Sequence, residues 1–200
     1  MKMVLSYSLC FLYVLCVSLC GCPPDNYFVE YESVIPNVVA FEGEKINFLQ
    51  GDTLYLIAKI PRNVVTVEGE RIDLQNDLGT VSSHFAMKLS KKGDFSNPSI
   101  LSLSENELVV INGEVYLDEY DRTRIHCAML LDGENYVFRF GVLLKEKGDF
   151  ILSQYHQSKN EWVFVFEDQK MRRNTYETVI VKSPLTTAGS TNLGLEFTVN

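Results

Sequence analysis

Residues 123–154 read TRIHCAMLLDGENYVFRFGVLLKEKGDFILSQ, two apolar runs on either side of Asp132-Gly133. An Asp-Gly pair between alternating apolar runs is a hairpin signal, because the tight turn needs residues that tolerate positive φ. In the second run Tyr136, Phe138, Phe140, Val142 and Leu144 alternate with Val137, Arg139, Gly141 and Leu143. That is the period of two that places successive side chains on opposite faces of a strand. Both sets are apolar enough for a strand in the middle of a sheet. A second polar turn at Lys145–Asp149 leads into Phe150–Leu152, so the stretch predicts a β-meander.

The same period continues in both directions. In GDTLYLIAKIP (51–61) Leu54, Leu56, Ala58 and Ile60 share one face, opposite Tyr55, Ile57 and Lys59. NVVTVEGERIDL (63–74) predicts two short strands joined around Glu68-Gly69. SSHFAMKLSKKGDF (82–95) sets Phe85, Met87 and Leu89 against His84, Ala86 and Lys88. Val34–Phe41 is β-branched and aromatic, with Pro36 forcing an edge or a bend. Shorter β-rich pieces follow at Ser99–Leu103 and Leu108–Ile111. NGEVYLDEYD (112–121) opens on a hairpin signal, Asn112-Gly113, and ends in acidic residues. EWVFVFE (161–167), YETVIVK (176–182) and LGLEFTV (193–199) are strands, EDQKMRRNTYE (167–177) allows a helical turn or two, and SPLTTAGSTN (183–192) is a loop. About ten short strands at regular turn spacing predict an all-β fold. The expected form is an antiparallel β-sandwich, immunoglobulin-like in the broad sense, with a partly closed barrel as the alternative. Polar runs such as Glu105–Glu107 and Lys145–Asp149 do not flank evenly long lipid-facing strands, which disfavours an outer-membrane barrel.

The amino terminus has another design. Lys2 precedes an apolar run from Met3 to Leu19, and no acidic residue occurs before Asp25. The run is long enough for a short membrane span. Its two cysteines and three serines, and the Pro23-Pro24-Asp25 that follows in place of a basic cluster, favour a secretory leader. Leu19-Cys20-Gly21-Cys22 resembles the lipobox of bacterial lipoproteins. The resemblance implies cleavage before Cys22 and acylation of that cysteine by palmitate-type chains. Cys20 fits less well, because bulky Leu19 precedes it. Each buried methylene contributes about 0.8 kcal/mol, so the two or three chains that such proteins carry hold durably where one would not. The expected organisation is a signal peptide over 1–21, a lipidated N-terminus and short tether over 22–31, and one β-sandwich domain over 32–200.

Removing the leader leaves 179 residues, enough for one domain with its own core. The full chain carries 18 Lys+Arg against 26 Asp+Glu, a formal −8 that becomes −9 without Lys2. This disfavours nucleic acid, which needs basic patches. Of the five cysteines, Cys10, Cys16 and Cys20 leave with the leader and Cys22 is acylated, so Cys127 has no disulfide partner.

Motifs that carry chemistry are few. His84, His126 and His156 stand in no metal-binding spacing. His126 and Cys127 are neighbours on a strand and therefore face apart, leaving Cys127 as a small core residue. Asp118, Glu119 and Asp121, interleaved with Tyr116 and Tyr120, are weak candidates for a cation site or an acid pair. They lack the spacing of a calcium loop, so an acidic turn accounts for them as well. Glu167-Asp168 is weaker still. No nucleophile elbow, phosphate loop or dinucleotide fingerprint occurs. No catalytic residue, cofactor or enzymatic activity is expected. Trp162 alternates with Phe164 and Phe166, which predicts a core row; facing outward it would be a platform for ligands such as sugars.

GDTLYLIAKIP and YVFRFGVLLKEKGDFILS, beside the lipobox, resemble segments of uncharacterised Bacteroidota envelope lipoproteins. The resemblance implies a Gram-negative cell envelope and attachment to the outer membrane, and it brings no catalytic residues. Pro23 stands where an inner-membrane retention signal would have Asp. The expected function is a lipid-anchored, non-enzymatic binding or scaffolding module for another envelope protein. A glycan or small-ligand binding accessory lipoprotein is the alternative, and a hydrolase the third reading.

Overall fold

The structure, a computed structural model, describes residues 27–93, 99–155, 161–170, 175–187, 189–191 and 194–200. The leader, Cys22 and His156 lie outside the described residues. Along the chain run β1 (Tyr27–Val34), β2 (Val39–Phe41), β3 (Asn47–Phe48), β4 (Thr53–Pro61), β5 (Asn63–Val65) and β6 (Arg71–Asp73). Next come β7 (Ser82–Lys91), β8 (Ser99–Ile100), β9 (Leu108–Asn112), β10 (Glu114–Leu117), β11 (Ile125–Asp132) and β12 (Asn135–Leu143). The chain closes with β13 (Gly148–Gln154), β14 (Glu161–Glu167), β15 (Thr175–Pro184), β16 (Ser190–Thr191) and β17 (Gly194–Val199). Two single 3-10 turns, Glu42–Glu44 and Glu105–Glu107, are the only helical pieces among the described residues. The chain is all-β.

The largest sheet has the order β16-β17-β13-β7-β11-β12-β4-β2 and curls toward a half-barrel. β3, β8, β9 and β10 pair onto β17, β7, β12 and β11. A second sheet has the order β1-β15-β14, and β5 and β6 form a separate hairpin. The alternation read from sequence sorts residues by face. Leu54, Leu56, Ala58 and Ile60 of β4 are buried, as are Tyr136, Phe138, Phe140 and Val142 of β12 and Phe85, Met87 and Leu89 of β7.

Aromatic rings join the sheets. Trp162, Phe164 and Phe166 of β14 are wholly buried. Phe85 meets Trp162 at 6.0 Å, Phe164 at 5.2 Å and Phe138 at 5.2 Å between ring centroids, each edge-on. Tyr136 meets Phe166 at 4.9 Å. Burying such a ring contributes roughly 1.5–3 kcal/mol, and each edge-to-face pair roughly 0.5–1.5 kcal/mol more. The Trp162 row is therefore core, as its alternation predicts, and no platform faces outward there.

Three expectations change. The meander fails at its third strand: β13 pairs with β7 and β17 and does not return to β12. The reason is that both edges of β12 are occupied, one by β4 and the other by β11 and then β9. The sheets are not wholly antiparallel, since β1 runs parallel to β15 and β3 parallel to β17. Residues 27–31, expected in the tether, belong to β1, where Tyr27 pairs with Thr175; residues 22–26 lie outside the described residues.

An ion pair closes the base of the β5–β6 hairpin. Arg62 donates from Nε to Asp73 Oδ1 at 2.7 Å and from Nη2 to Oδ2 at 2.6 Å, a two-point geometry suited to carboxylate. Asp73 also accepts from the amides of Gln75 and Asn76. The Arg62 guanidinium, with those amides assisting, lowers the Asp73 carboxyl from 3.8 to about 2. On acidification the unfolded chain takes up this proton first, so the contribution is complete above about pH 4 and disappears as pH falls toward 2. Asp73→Asn is expected to lower stability at neutral pH and to flatten its decline between about pH 4 and 2, measured by urea unfolding across that range.

Candidate functional site: an interrupted sheet between β9 and β10

β11 and β12 begin as an ordinary hairpin, with Asp132 opposite Asn135, Leu131 opposite Tyr136 and Leu130 opposite Val137. Continuing that register would place Ala128 opposite Arg139. Instead Ala128 faces Glu114 and Arg139 faces Asn112. Gly113 stands where the two strands part. Its φ is +92°, and a Cβ built on it would lie 2.5 Å from the Ala128 carbonyl oxygen and 2.7 Å from Phe138 Cδ2. Only glycine fits such a position without displacing backbone.

On one side of Gly113, β9 lies along β12, out to Leu108 opposite Val142. On the other, β10 lies along β11, out to Leu117 opposite Ile125. β9 and β10 do not pair with each other. Each therefore keeps one unpaired edge among the described residues, and the two edges meet only at Gly113.

The side chains match an opening. Val109, Val110 and Ile111 are exposed by 41, 46 and 47 %. Consecutive residues face opposite sides of a strand, so both faces of β9 carry accessible aliphatic surface. Leu108, Val115 and Leu117 are half-buried and pack against the core. Glu114 and Tyr116 are exposed on β10.

At the end of the fork away from Gly113, the Leu103 amide donates to the Arg122 carbonyl at 3.3 Å, and beside this bond a cavity of about 470 Å³ lies between the residues leading into β9 and those leaving β10. Its lining includes Glu105, Asp118, Glu119 and Arg122. On the first wall Ser104 caps the Glu105–Glu107 turn reciprocally with Glu107, its amide donating to Glu107 Oε2 at 2.6 Å. On the second, Asp118 accepts from the amides of Tyr120 at 2.9 Å and Asp121 at 3.1 Å, and lies 3.3 Å from His126 Nε2. The Tyr120 amide first, and then His126, hold the Asp118 carboxyl below its usual range. His126 stacks on Tyr116 at 4.8 Å. Asp121 accepts from the Thr123 hydroxyl and, at 2.8 Å, from the Tyr155 hydroxyl; both bonds lower its carboxyl, and the one to Asp121 raises Tyr155.

Two of the three acidic candidates thus hold the turn. Asp118 spends its oxygens on local amides and His126, and Asp121 on Thr123 and the Tyr155 hydroxyl, while Glu119 is exposed. No group of three His, Cys, Asp or Glu side chains among the described residues is placed to hold a metal ion. The other singled-out residues lie apart. Cys127 is buried, which pushes its thiol up, and His126 faces away from it. His84 lies 3.4 Å from Ser82 Oγ, and Ser83 points inward, donating to the Val165 carbonyl. Glu167 ends β14 and Asp168 follows it, and neither lines the cavity. The Asn112-Gly113 signal marks the reversal correctly, but its partners pair outward, onto β11 and β12.

Gly113→Ala meets two penalties, an unfavourable φ and a backbone clash. It is expected to destabilise by about 1–3 kcal/mol in urea unfolding. Gly133→Ala, at φ +60° in open space, should lose less and so isolates the clash.

In comparisons with known proteins, no family model, no curated protein and no solved structure matches the chain.

Proposed function

We propose that the chain is a lipid-anchored binding or scaffolding module, non-enzymatic, that holds another protein of the cell envelope through the fork between β9 and β10. In this reading residues 1–21 are a cleaved signal, acylated Cys22 fixes the chain to the outer membrane, and the two stacked sheets serve as a β-sandwich scaffold. The observation that carries it is the pair of unpaired strand edges beside three consecutive exposed aliphatic residues, Val109 to Ile111. Proteins normally blunt such edges, and an open one is a template for an added strand.

A second reading, glycan binding, draws on Tyr120, exposed by 97 % beside the carboxylates of the cavity. Sugars are held by an aromatic face with polar groups at its rim, and Tyr116 lies on the neighbouring strand. Burial of the Trp162 row removes the larger platform that this reading would use.

A photoreactive residue at Val110, in cells producing the full chain, is expected to form protein adducts, whereas one at exposed Glu68 in the β5–β6 turn forms none. Carbohydrate adducts at Val110 would favour the second reading, and equal labelling at both sites would overturn the fork as the binding site. In the same cells Cys22→Ser should abolish fatty-acid labelling and detergent-phase partition; a labelled, detergent-soluble variant would overturn the anchor.

A further inference from the structure

We propose that the occupant of the fork is an extended polypeptide segment in which aliphatic residues alternate with Lys or Arg, inserted as a strand between β9 and β10. This rests on the fork being a binding site and specifies the chemistry of its partner. The two unpaired edges define the backbone. A strand placed between them would have a pairing edge on each side, at the ordinary spacing of about 4.8 Å between neighbouring strands.

The flanking side chains define the sequence pattern. On the inner side the segment would meet Leu108, Val115 and Leu117, which already lean on the core, so residues facing inward are apolar. On the outer side it would meet exposed Glu105, Glu114 and Glu119, with Arg122 the one guanidinium lining the cavity. Among the described residues, none of the ion pairs involves Glu105, Glu114 or Glu119. Residues facing outward are therefore cationic, and a strand's period of two delivers both requirements in one segment.

Charge also decides between a foreign segment and a second copy. The chain carries a formal −8, and a copy would bring the same acidic rim against itself. Like charges in register oppose that pairing.

The test uses short peptides of about six residues, the length of an ordinary strand, in three sequences: alternating Lys–Val, alternating Glu–Val and alternating Lys–Ser. The Lys–Val peptide is expected to bind at least about tenfold more tightly than either control, to weaken as salt rises, and to slow amide exchange in both 108–112 and 114–117. The double variant Glu105→Lys, Glu119→Lys, which leaves the turn-holding Asp118 in place, should shift preference toward the Glu–Val peptide. Equal binding of the Lys–Val and Glu–Val peptides, protection outside the fork, or no binding of the Lys–Val peptide would overturn the proposal. So would a chain whose β9 is already covered by a second copy, seen as a dimer in sedimentation that Val110→Lys dissociates. Protein adducts at Val110 combined with equal peptide binding would remove the charge pattern and keep the binding module; absence of adducts would remove the module itself.

Discussion

A β-strand has two edges, and both edges of β12 are taken: β4 runs along one, while β11 and then β9 share the other. Much of the topology follows from that occupancy. The chain leaving β12 has no place beside it, so β13 must pass to the far side of β7. β11 cannot stay on β12 beyond Leu130 and Val137, because the Gly113 reversal stands between Ala128 and Arg139. The fork is thus a consequence of how the central strand is shared. It lies within a sheet that is otherwise continuous, so its walls are held by well-packed neighbours.

The aromatic core supports this arrangement from beneath. Phe85 on β7 contacts Trp162, Phe164 and Phe138, so the small sheet and the large one are clamped through one ring. Phe138 belongs to the same cluster and also lies against the position where Gly113 would carry a Cβ. The packing that joins the sheets and the packing that parts β11 from β12 therefore share a side chain. The acidic turn after β10 is stiffened separately, by Asp118 and Asp121 acting as acceptors for their own loop. Its exposed neighbour Glu119 is left to set the charge of the opening.

Faces were legible in the amino-acid sequence and neighbours were not. The alternation of Leu54, Leu56, Ala58 and Ile60, or of Trp162, Phe164 and Phe166, assigns each side chain to core or surface, because period two follows from the geometry of a single strand. Pairing depends on which edge is vacant when a strand arrives, and no local pattern records that. Hence the Asp132-Gly133 hairpin was readable from its own residues, whereas the destination of β13 and the parallel pairing of β1 with β15 were not. Asn112-Gly113 shows the boundary between the two kinds of information. The dipeptide announces a reversal, yet only the tertiary structure shows that the reversing strands pair away from each other. The acidic candidates follow the same rule: their closeness in sequence is visible, and their use as turn acceptors is not.

Amide hydrogen exchange of the free chain, resolved residue by residue, tests most directly whether the sheet is interrupted. A strand paired along one edge protects alternate amides, whereas one paired along both protects nearly all. The fork predicts alternating fast and slow amides across Leu108–Asn112 and Glu114–Leu117, beside uniformly slow ones in the central part of β12. Uniform protection of β9 and β10 at the level of β12 would mean that the two strands are closed against each other or covered, and would contradict the account.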